Sequence, residues 1–372
     1  MLSLGVEEEY LLVDPRDCAP VPRAAEVLAT AGSAPALREQ EAQHELLRAQ
    51  VETATPVCGE LAEVGRHLAR VRAGLSAAAA RHGCRVVAVG AAPFEADEPV
   101  GVTDSERYRR AERQAPLLVD DLLLNGMHVH VGVADEEERV AVLNRLRPWL
   151  PVLVAMAANS PFRGGVDSRF ASWRTVGFDR WAVSGPPPHF ADAADHRARL
   201  RALEEAEVIA DRGQLYWHAR LSARYPTVEV RAADVQLTAT DAELFAGVVR
   251  GLAAAGLLAA RAGRRWPAPH GELLSAMTWH AARTGLAGSL VSPVTGRARP
   301  AAEVVDELWE HAAPGLAAAG DTELVAGLWH DFAREGNGAE RQRRWFAAGG
   351  RPGLTEGLLA STMAPGPGSP VG

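Results

Sequence analysis

The stretch GMHVHVG, at Gly126–Gly132, carries the pattern that decides the fold class. Its two histidines, His128 and His130, alternate with a methionine and two valines. Side chains at positions i and i+2 of a strand lie on the same face of a sheet. The stretch therefore predicts a strand with one apolar face and one face that carries two imidazoles.

Two other stretches repeat this alternation. In LSLGVEEEYLLV, at residues 2–13, Glu7 and Glu9 share one face and Glu8 shares the other with valine, tyrosine and leucine. In TVEVRAA, at residues 227–233, Glu229 and Arg231 oppose two valines. Three such strands predict a sheet with one side packed on helices. Its other side would be lined by carboxylates, imidazoles and guanidinium groups.

The order of the elements indicates the class of the fold. Strand patterns dominate the first part of the chain, where Ser105–Leu124 is predicted to be helical, and from Asp241 onward helical spacing recurs in at least four segments. A strand at Leu215–Leu221 precedes the strand at residues 227–233 at about a hairpin's distance. The regular strand–helix alternation of a parallel sheet is missing. We therefore expect an α+β fold with an antiparallel sheet.

Composition excludes several classes of protein. The chain has 372 residues and contains no lysine, so all 39 basic residues are arginine. This rules out Schiff-base lysines and the phosphate-binding lysine of a P-loop, so phosphates would be bound by arginine, backbone N–H groups or metal ions. A net charge of −8 argues against a nucleic-acid partner.

The expected compartment is the cytoplasm. Three cysteines without repeated spacing form no disulfide framework and no zinc motif. The first ten residues lack the basic region of a signal peptide, and no uncharged apolar run reaches the roughly 18 residues of a membrane span. We expect no membrane partner.

The polar face of the sheet predicts a site for divalent cations. Single charged residues on a sheet face are usually solvated, but paired carboxylates beside paired histidines favour hard cations with oxygen and nitrogen ligands. Arg231 nearby would suit an anion that bridges the metals, such as a nucleotide phosphate on Mg²⁺. In a second acidic cluster, Glu41 is expected to be solvated, and Glu52 needs a partner or a metal if it is buried. Glu45 and Glu52, seven positions apart, would share one face of a helix, but the alternation of Val51, Thr53 and Thr55 favours a strand near the end of this segment.

Seven motifs in order resemble the type-2 glutamate–cysteine ligase family, the bacterial ATP-dependent carboxylate–amine ligases. The resemblance runs from about Leu4 to Phe346. The motifs are GVEEEY at residues 5–10, QVETATP at 50–56, GMHVHVG at 126–132, NSPF at 159–162, RFASWR at 169–174, YPTVEVR at 225–231 and ARTGL at 282–286.

This resemblance implies a glutamine-synthetase-like fold: an antiparallel sheet curved into a half-funnel, with helices on its outer face. It implies one catalytic domain, at residues 1–349, followed by a partly disordered tail at 350–372. ATP would phosphorylate a substrate carboxylate, such as glutamate's, and an amine, cysteine or another, would displace phosphate from the acyl phosphate. The partners would be these small molecules, and a homodimer is one option for the assembly.

The resemblance also assigns residues to roles. Mg²⁺ or Mn²⁺ would be bound by a set of carboxylates and one imidazole: Glu7, Glu9, Glu52, His128 and Glu229, with Glu45 a weaker candidate. Arg231 matches a phosphate-facing arginine, and Glu229 and Arg231 are the expected catalytic pair. Arg174 and Arg169 are further candidates for anion contacts, with a structural ion pair as the alternative for each arginine. His130, Arg220 and His218 are the candidates for substrate contacts.

One position departs from the family. This chain has Trp217-His218-Ala219-Arg220 where relatives have an aspartate after the tryptophan. An imidazole should weaken recognition of an α-amino group, so we expect altered substrate choice, unless His218 is an ordinary strand residue. Two other functions stay open: a metal-dependent amidohydrolase, since His-x-His also occurs in such sites, and a non-catalytic homologue.

Overall fold

The computed structural model describes residues 2–32, 41–96, 98–265 and 268–363. Its helices are α1 Ala24–Ala31, α2 Leu61–Ala80, α3 Glu106–Gln114, α4 Pro116–Asp120, α5 Glu136–Leu146, α6 Leu150–Met156, α7 Trp173–Phe178, α8 Ala193–Glu205, α9 Ala239–Arg261, α10 Gly271–Thr284, α11 Ala301–Ala319, α12 Thr322–Glu335 and α13 Gly338–Thr362. Its strands are β1 Leu4–Val13, β2 Ala42–His44, β3 Gln50–Ala54, β4 Arg85–Val87, β5 Gly126–Gly132, β6 Phe162–Arg163, β7 Val166–Asp167, β8 Ser184–Gly185, β9 Tyr216–Trp217, β10 Ala219–Leu221, β11 Thr227–Asp234, β12 Ser289–Val291 and β13 Ala298–Pro300.

Seven of these strands form one open antiparallel sheet in the order β10-β11-β5-β1-β3-β2, with β4 also paired to β1. The pairing of β1 with β5 places Glu7 opposite His128, and the pairing of β11 with β5 places Glu229 opposite His130. Glu9 lies opposite Glu52 on β3. The predicted mixture of helices and antiparallel sheet is confirmed.

One face of the sheet packs on helices, as the alternation predicts. The valines and Met127 of β1, β5 and β11 are buried in one cluster with α5, α6 and α9. Helix α9 packs against α2, α5, α11 and α12. By length and composition α9 could cross a membrane, but 89% of its most apolar window is buried inside the protein, as in the core helix of a folded domain.

The C-terminal segment differs from the expected tail. Helix α13 continues past residue 349 to Thr362, with a break in helical geometry at Gly350, whose φ is 60°. Leu354 and Leu358 are fully buried against the sheet side that carries Leu11, and the hydroxyl of Thr362 accepts a hydrogen bond from the N–H of Ala88. Apolar residues at helical spacing therefore hold this segment on the core. Residues 364–372, where the expected tail continues, lie outside the described residues.

Two other expectations need correction. The segment Ser105–Leu124, expected to be one helix, forms the short helices α3 and α4, because Pro116 begins a new helix and lacks the N–H that would continue the first. Glu41 is 7% exposed instead of solvated, and its carboxylate binds the guanidinium of Arg70 at 2.6 and 2.9 Å.

Candidate active site

The strand register brings the predicted acidic and imidazole side chains together. His128 Nδ1 lies 3.1 Å from a Glu7 oxygen, and His130 Nε2 lies 3.4 Å from the other. Glu229, on β11, joins Glu7 and His130 in a group whose ligand atoms lie within 4.8 Å of one another. Glu7 is therefore shared between two histidines and a second carboxylate.

A second group of carboxylates adjoins the first. One oxygen each from Glu9, Glu45 and Glu52 lies within 4.8 Å of the others, and Glu52 also lies within that distance of Glu7 and His128. Glu45 follows β2 and Glu52 lies on β3, so the strand interpretation of this segment holds. The two groups together contain all six side chains that sequence analysis assigned to metal ions. Their role as ligands stays a prediction.

The electrostatics of the two groups differ. Burial opposes the ionisation of Glu7, but hydrogen bonds from His128 and His130 outweigh it and lower its pKa. Burial raises the pKa of Glu45 to about 7, and the Glu9 charge adds to the effect. Burial and then the neighbouring charges of Glu45, Glu7 and Glu9 also raise the pKa of Glu52. The second group therefore holds more negative charge than its surroundings stabilise.

These residues fit a divalent cation. The Nε2 atoms of His128 and His130 are buried and have no hydrogen-bond partner among the described residues. Burial lowers the pKa of His128, and the charge of Arg231 adds to this, so its imidazole is neutral and can act as a ligand. Clustered carboxylate oxygens with neutral imidazole nitrogens form a donor set for Mg²⁺ or Mn²⁺.

Two arginines hold Glu229. Arg220 binds both Glu229 oxygens, at 2.8 and 3.0 Å, and Arg231 Nη1 contacts the same carboxylate and lies 3.1 Å from His128 Nδ1. Burial opposes ionisation of Glu229, but the charges of Arg231 and Arg220 outweigh it and lower the pKa of Glu229. Arg231 thus lies against the metal candidates, as expected. Arg220, expected to contact substrate, is a partner of Glu229 in this structure.

Arg174 lies under the end of β5. Its Nη2 donates to the carbonyl of Arg231 at 3.3 Å, and its guanidinium is so close to Gly126 that a Cβ there would overlap it. The backbone N–H of Gly126 donates to Glu9 at 2.5 Å. Glycine is required here because backbone and guanidinium approach closely. Arg169 is exposed, at a φ of 66°, and no contact joins it to the two groups.

Asp234, which was not predicted from the sequence, helps to position Arg174. Asp234, at the end of β11, accepts hydrogen bonds from the N–H of Asn159 and from the hydroxyls of Ser160 and Ser172, at 2.7 to 2.8 Å. Ser172 caps the helix α7 that carries Arg174. The NSPF and RFASWR motifs thus converge on one buried carboxylate, which their shared serines could have indicated.

His218, which stands where relatives have an aspartate, lies between β9 and β10. Its carbonyl accepts from the N–H of Arg231 at 2.7 Å, and its Nε2 lies 3.4 Å from Asp179 Oδ1. Asp179 ends α7, and its contact with His218 was not predicted. The strand predicted at Leu215–Leu221 is therefore divided: β9 pairs with β8, and β10 pairs with β11.

A further network on the opposite face was not predicted either. Glu8 is fully buried and pairs with Arg72 of α2, and the Tyr10 hydroxyl hydrogen-bonds to Glu8. Arg72 also donates to the carbonyls of Gln236 and Leu237. A buried carboxylate needs such a partner, and the middle glutamate of GVEEEY was the available signal.

The open antiparallel sheet, with helices on one face and acidic, imidazole and arginine side chains on the other, has the architecture of the glutamine-synthetase-like fold. The chain belongs to glutamate-cysteine ligase family 2, whose model matches residues 3–361. It is a ligase enzyme.

Similar proteins agree with this assignment. A protein of Salinispora arenicola, provisionally named glutamate–cysteine ligase 2, is 44% identical over 344 residues, which cover 92% of this chain and 90% of that protein. A similarly named protein of Mycobacterium sp. (strain KMS) is 39% identical and covers 97% of this chain and 99% of its own. The crystal structure of a glutamate–cysteine ligase from Francisella tularensis in complex with AMP superposes with a TM-score of 0.68 at 12% identity, over 97% of this chain and 88% of that one. The last likeness concerns the fold.

Proposed function

We propose that this enzyme uses ATP to activate a small-molecule carboxylate, such as that of glutamate, and joins it to an amine. The observation that carries the proposal is the convergence of five carboxylates and two histidines from β1, β3, β5, β11 and the segment after β2 around Glu7 and Glu9, with Arg231 against them. Phosphoryl transfer requires this combination of cation ligands and a planar phosphate-binding group.

Glu7, Glu9, Glu45, Glu52, His128 and Glu229 would bind two or more Mg²⁺ or Mn²⁺ ions. Such cations would neutralise charge on the phosphates of ATP while the γ-phosphoryl group moves to the carboxylate. The carboxylates with raised pKa values would bind a cation in their ionised form. The buried neutral imidazole of His128 would supply a nitrogen ligand.

Arg231 would face the transferring phosphoryl group. Its guanidinium could release Glu229 and bind a phosphate instead, because Arg220 donates to both oxygens of that carboxylate. Arg174 lies beside Gly126 at the edge of the acidic groups and would bind a second anionic group. Arg169 would act only if a substrate reaches the exposed loop at Asp167–Phe170. His130 and His218 would lie along the path of the substrate.

Activation by phosphorylation gives the carboxylate a leaving group. The amine nitrogen attacks the acyl carbon, the bond between that carbon and the phosphate oxygen breaks, and phosphate leaves with the electron pair. The products are an amide, ADP and phosphate. We further propose that residues 1–362 form a single catalytic domain, because the last helix packs on the core, and that the enzyme works in the cytoplasm on free metabolites.

The test is ADP release measured with ATP, Mg²⁺ or Mn²⁺, and a panel of amino acids and amines, with L-glutamate as the first carboxylate. A ligase releases ADP only when both a carboxylate and an amine are present. ATP-independent hydrolysis of amides would indicate an amidohydrolase instead. The absence of both activities, with ATP still bound, would indicate a non-catalytic homologue.

A further inference from the structure

His218 has the environment of a proton acceptor. The side chain is buried, with 6% of it exposed, and its Nδ1 has no hydrogen-bond partner among the described residues. Its other nitrogen, Nε2, lies 3.4 Å from Asp179 Oδ1. A carboxylate on one ring nitrogen favours the tautomer in which that nitrogen carries the proton. Nδ1 then keeps a free lone pair.

The backbone fixes this ring beside the site. The N–H of His218 donates to Gly185 at 2.8 Å, and its carbonyl accepts from Arg231 at 2.7 Å, so it is held between β8 and β11. His218 lies two residues before Arg220 of β10, which binds Glu229. Asp179 also lies close enough to Arg174 for their charges to interact. The pair therefore adjoins two arginines assigned to anions.

We propose that His218 and Asp179 form a dyad that takes a proton from the amine substrate; this rests on the proposed ligase function. An amino acid amine is an ammonium ion near neutral pH and has no lone pair for attack. Nδ1 of His218 accepts one ammonium proton, and the freed lone pair forms the C–N bond as the C–O bond to phosphate breaks. The second proton leaves the nitrogen for solvent or phosphate as the amide forms. Asp179 stabilises the imidazolium, which returns its proton to solvent.

Hydroxylamine distinguishes this role from a structural one. At about pH 8 it is uncharged, so it can attack an acyl phosphate without losing a proton first. The assay uses L-glutamate, ATP and Mg²⁺ with hydroxylamine, L-cysteine or methylamine as acceptor. Wild type is compared with His218→Asn, His218→Gln, Asp179→Asn and, as a matched control on the exposed side of α12, His330→Asn.

We expect His218→Asn and His218→Gln to lose about 100-fold in rate with cysteine and methylamine, and to keep hydroxamate formation near that of wild type. Asp179→Asn should show the same selectivity with a smaller loss, and His330→Asn should change neither. Thermal melts check that each variant is folded, and a folded glutamine variant suffices if the asparagine variant is not.

Three results would overturn the dyad and leave the ligase function intact. Equal losses with all acceptors would make His218 structural. Unchanged rates with all acceptors would make it a bystander. A wild-type enzyme that uses hydroxylamine but neither ammonium acceptor would lack the proposed base. A wild-type enzyme that forms no hydroxamate with any carboxylate would contradict the ligase function itself, and the dyad with it.

Discussion

Replacing Glu52 by glutamine should stabilise the metal-free protein and reduce its stabilisation by Mg²⁺. The Glu52 carboxylate lies within 4.8 Å of those of Glu9 and Glu45. Burial and then the charges of neighbouring carboxylates raise its pKa, so the ionised form of this group opposes folding. Glutamine is close to isosteric and uncharged. It removes the repulsion and also removes a candidate ligand.

The magnitude follows from the geometry. Two carboxylates 4.8 Å apart repel by about 3 kcal/mol at an effective dielectric constant of about 20. The group can avoid part of this cost by binding a proton, since the pKa of Glu45 is raised to about 7. We therefore expect Glu52→Gln to gain about 1–2 kcal/mol in EDTA at about pH 8, or about 1–3 °C in Tm for a chain of this length.

Thermal melts in EDTA and in Mg²⁺ measure both effects. The matched control is Glu243→Gln, which removes another buried carboxylate with a pKa raised to about 7 by burial, on α9 and outside the acidic groups. The control should stabilise equally with and without Mg²⁺. If Glu52→Gln lowers the Tm in EDTA, or if Mg²⁺ stabilises it as much as wild type, the reasoning about this cluster is wrong.

Three other predictions follow from single contacts. Arg231→Lys should lose roughly 2 kcal/mol of transition-state stabilisation, mainly in kcat, because an ammonium group cannot make the two parallel hydrogen bonds of a planar guanidinium. The exposed Arg334→Lys should show no such loss. Unchanged turnover per folded molecule of Arg231→Lys would favour a structural ion pair. Burial makes the Glu243 carboxyl bind its proton more tightly in the folded state, so its contribution to stability falls as the pH rises from about 4.5 to 7. Glu243→Gln should therefore gain about 2 kcal/mol in free energy of unfolding at pH 8 and little at pH 5, as measured by denaturant titration. An equal gain at both pH values would contradict this. Asp234→Asn should cost roughly 1–3 kcal/mol in the same titrations, because three buried donors share the two oxygens of this carboxylate and an amide nitrogen cannot accept from them. The exposed Asp331→Asn should cost little, and a cost for Asp234→Asn below that of Asp331→Asn would show that the carboxylate positions nothing.

The period-two patterns determined most of the site in advance. They placed Glu7 and Glu9 on one side of β1, His128 and His130 on one side of β5, and Glu229 on the matching side of β11, and the structure has these faces. Alternation within a strand is a local property, so one sequence suffices. It could not give the register that sets Glu7 opposite His128, because pairing depends on contacts between distant strands.

Residues that act through long-range contacts were not predictable in this way. Asp179 meets His218 from the end of a short helix, and no periodicity joins the two positions. Glu41 lies in a segment of polar sequence, so it was expected to be solvated. Its ion pair with Arg70 depends on where α2 packs, which the sequence pattern does not give. The part of the final helix beyond residue 349 was assigned to a tail because glycine and proline are frequent there, while its buried leucines follow helical spacing.

Isotope transfer measures directly whether the site moves a phosphoryl group from ATP to a carboxylate. The enzyme is incubated with ATP, Mg²⁺, L-cysteine and L-glutamate labelled with ¹⁸O in its side-chain carboxylate, and the inorganic phosphate is analysed by mass. When the amine displaces phosphate from an acyl phosphate, the phosphate keeps one oxygen of the carboxylate. Each phosphate released with amide should therefore carry one ¹⁸O atom. Amide formation with unlabelled phosphate, or with AMP instead of ADP, would contradict the proposed transfer.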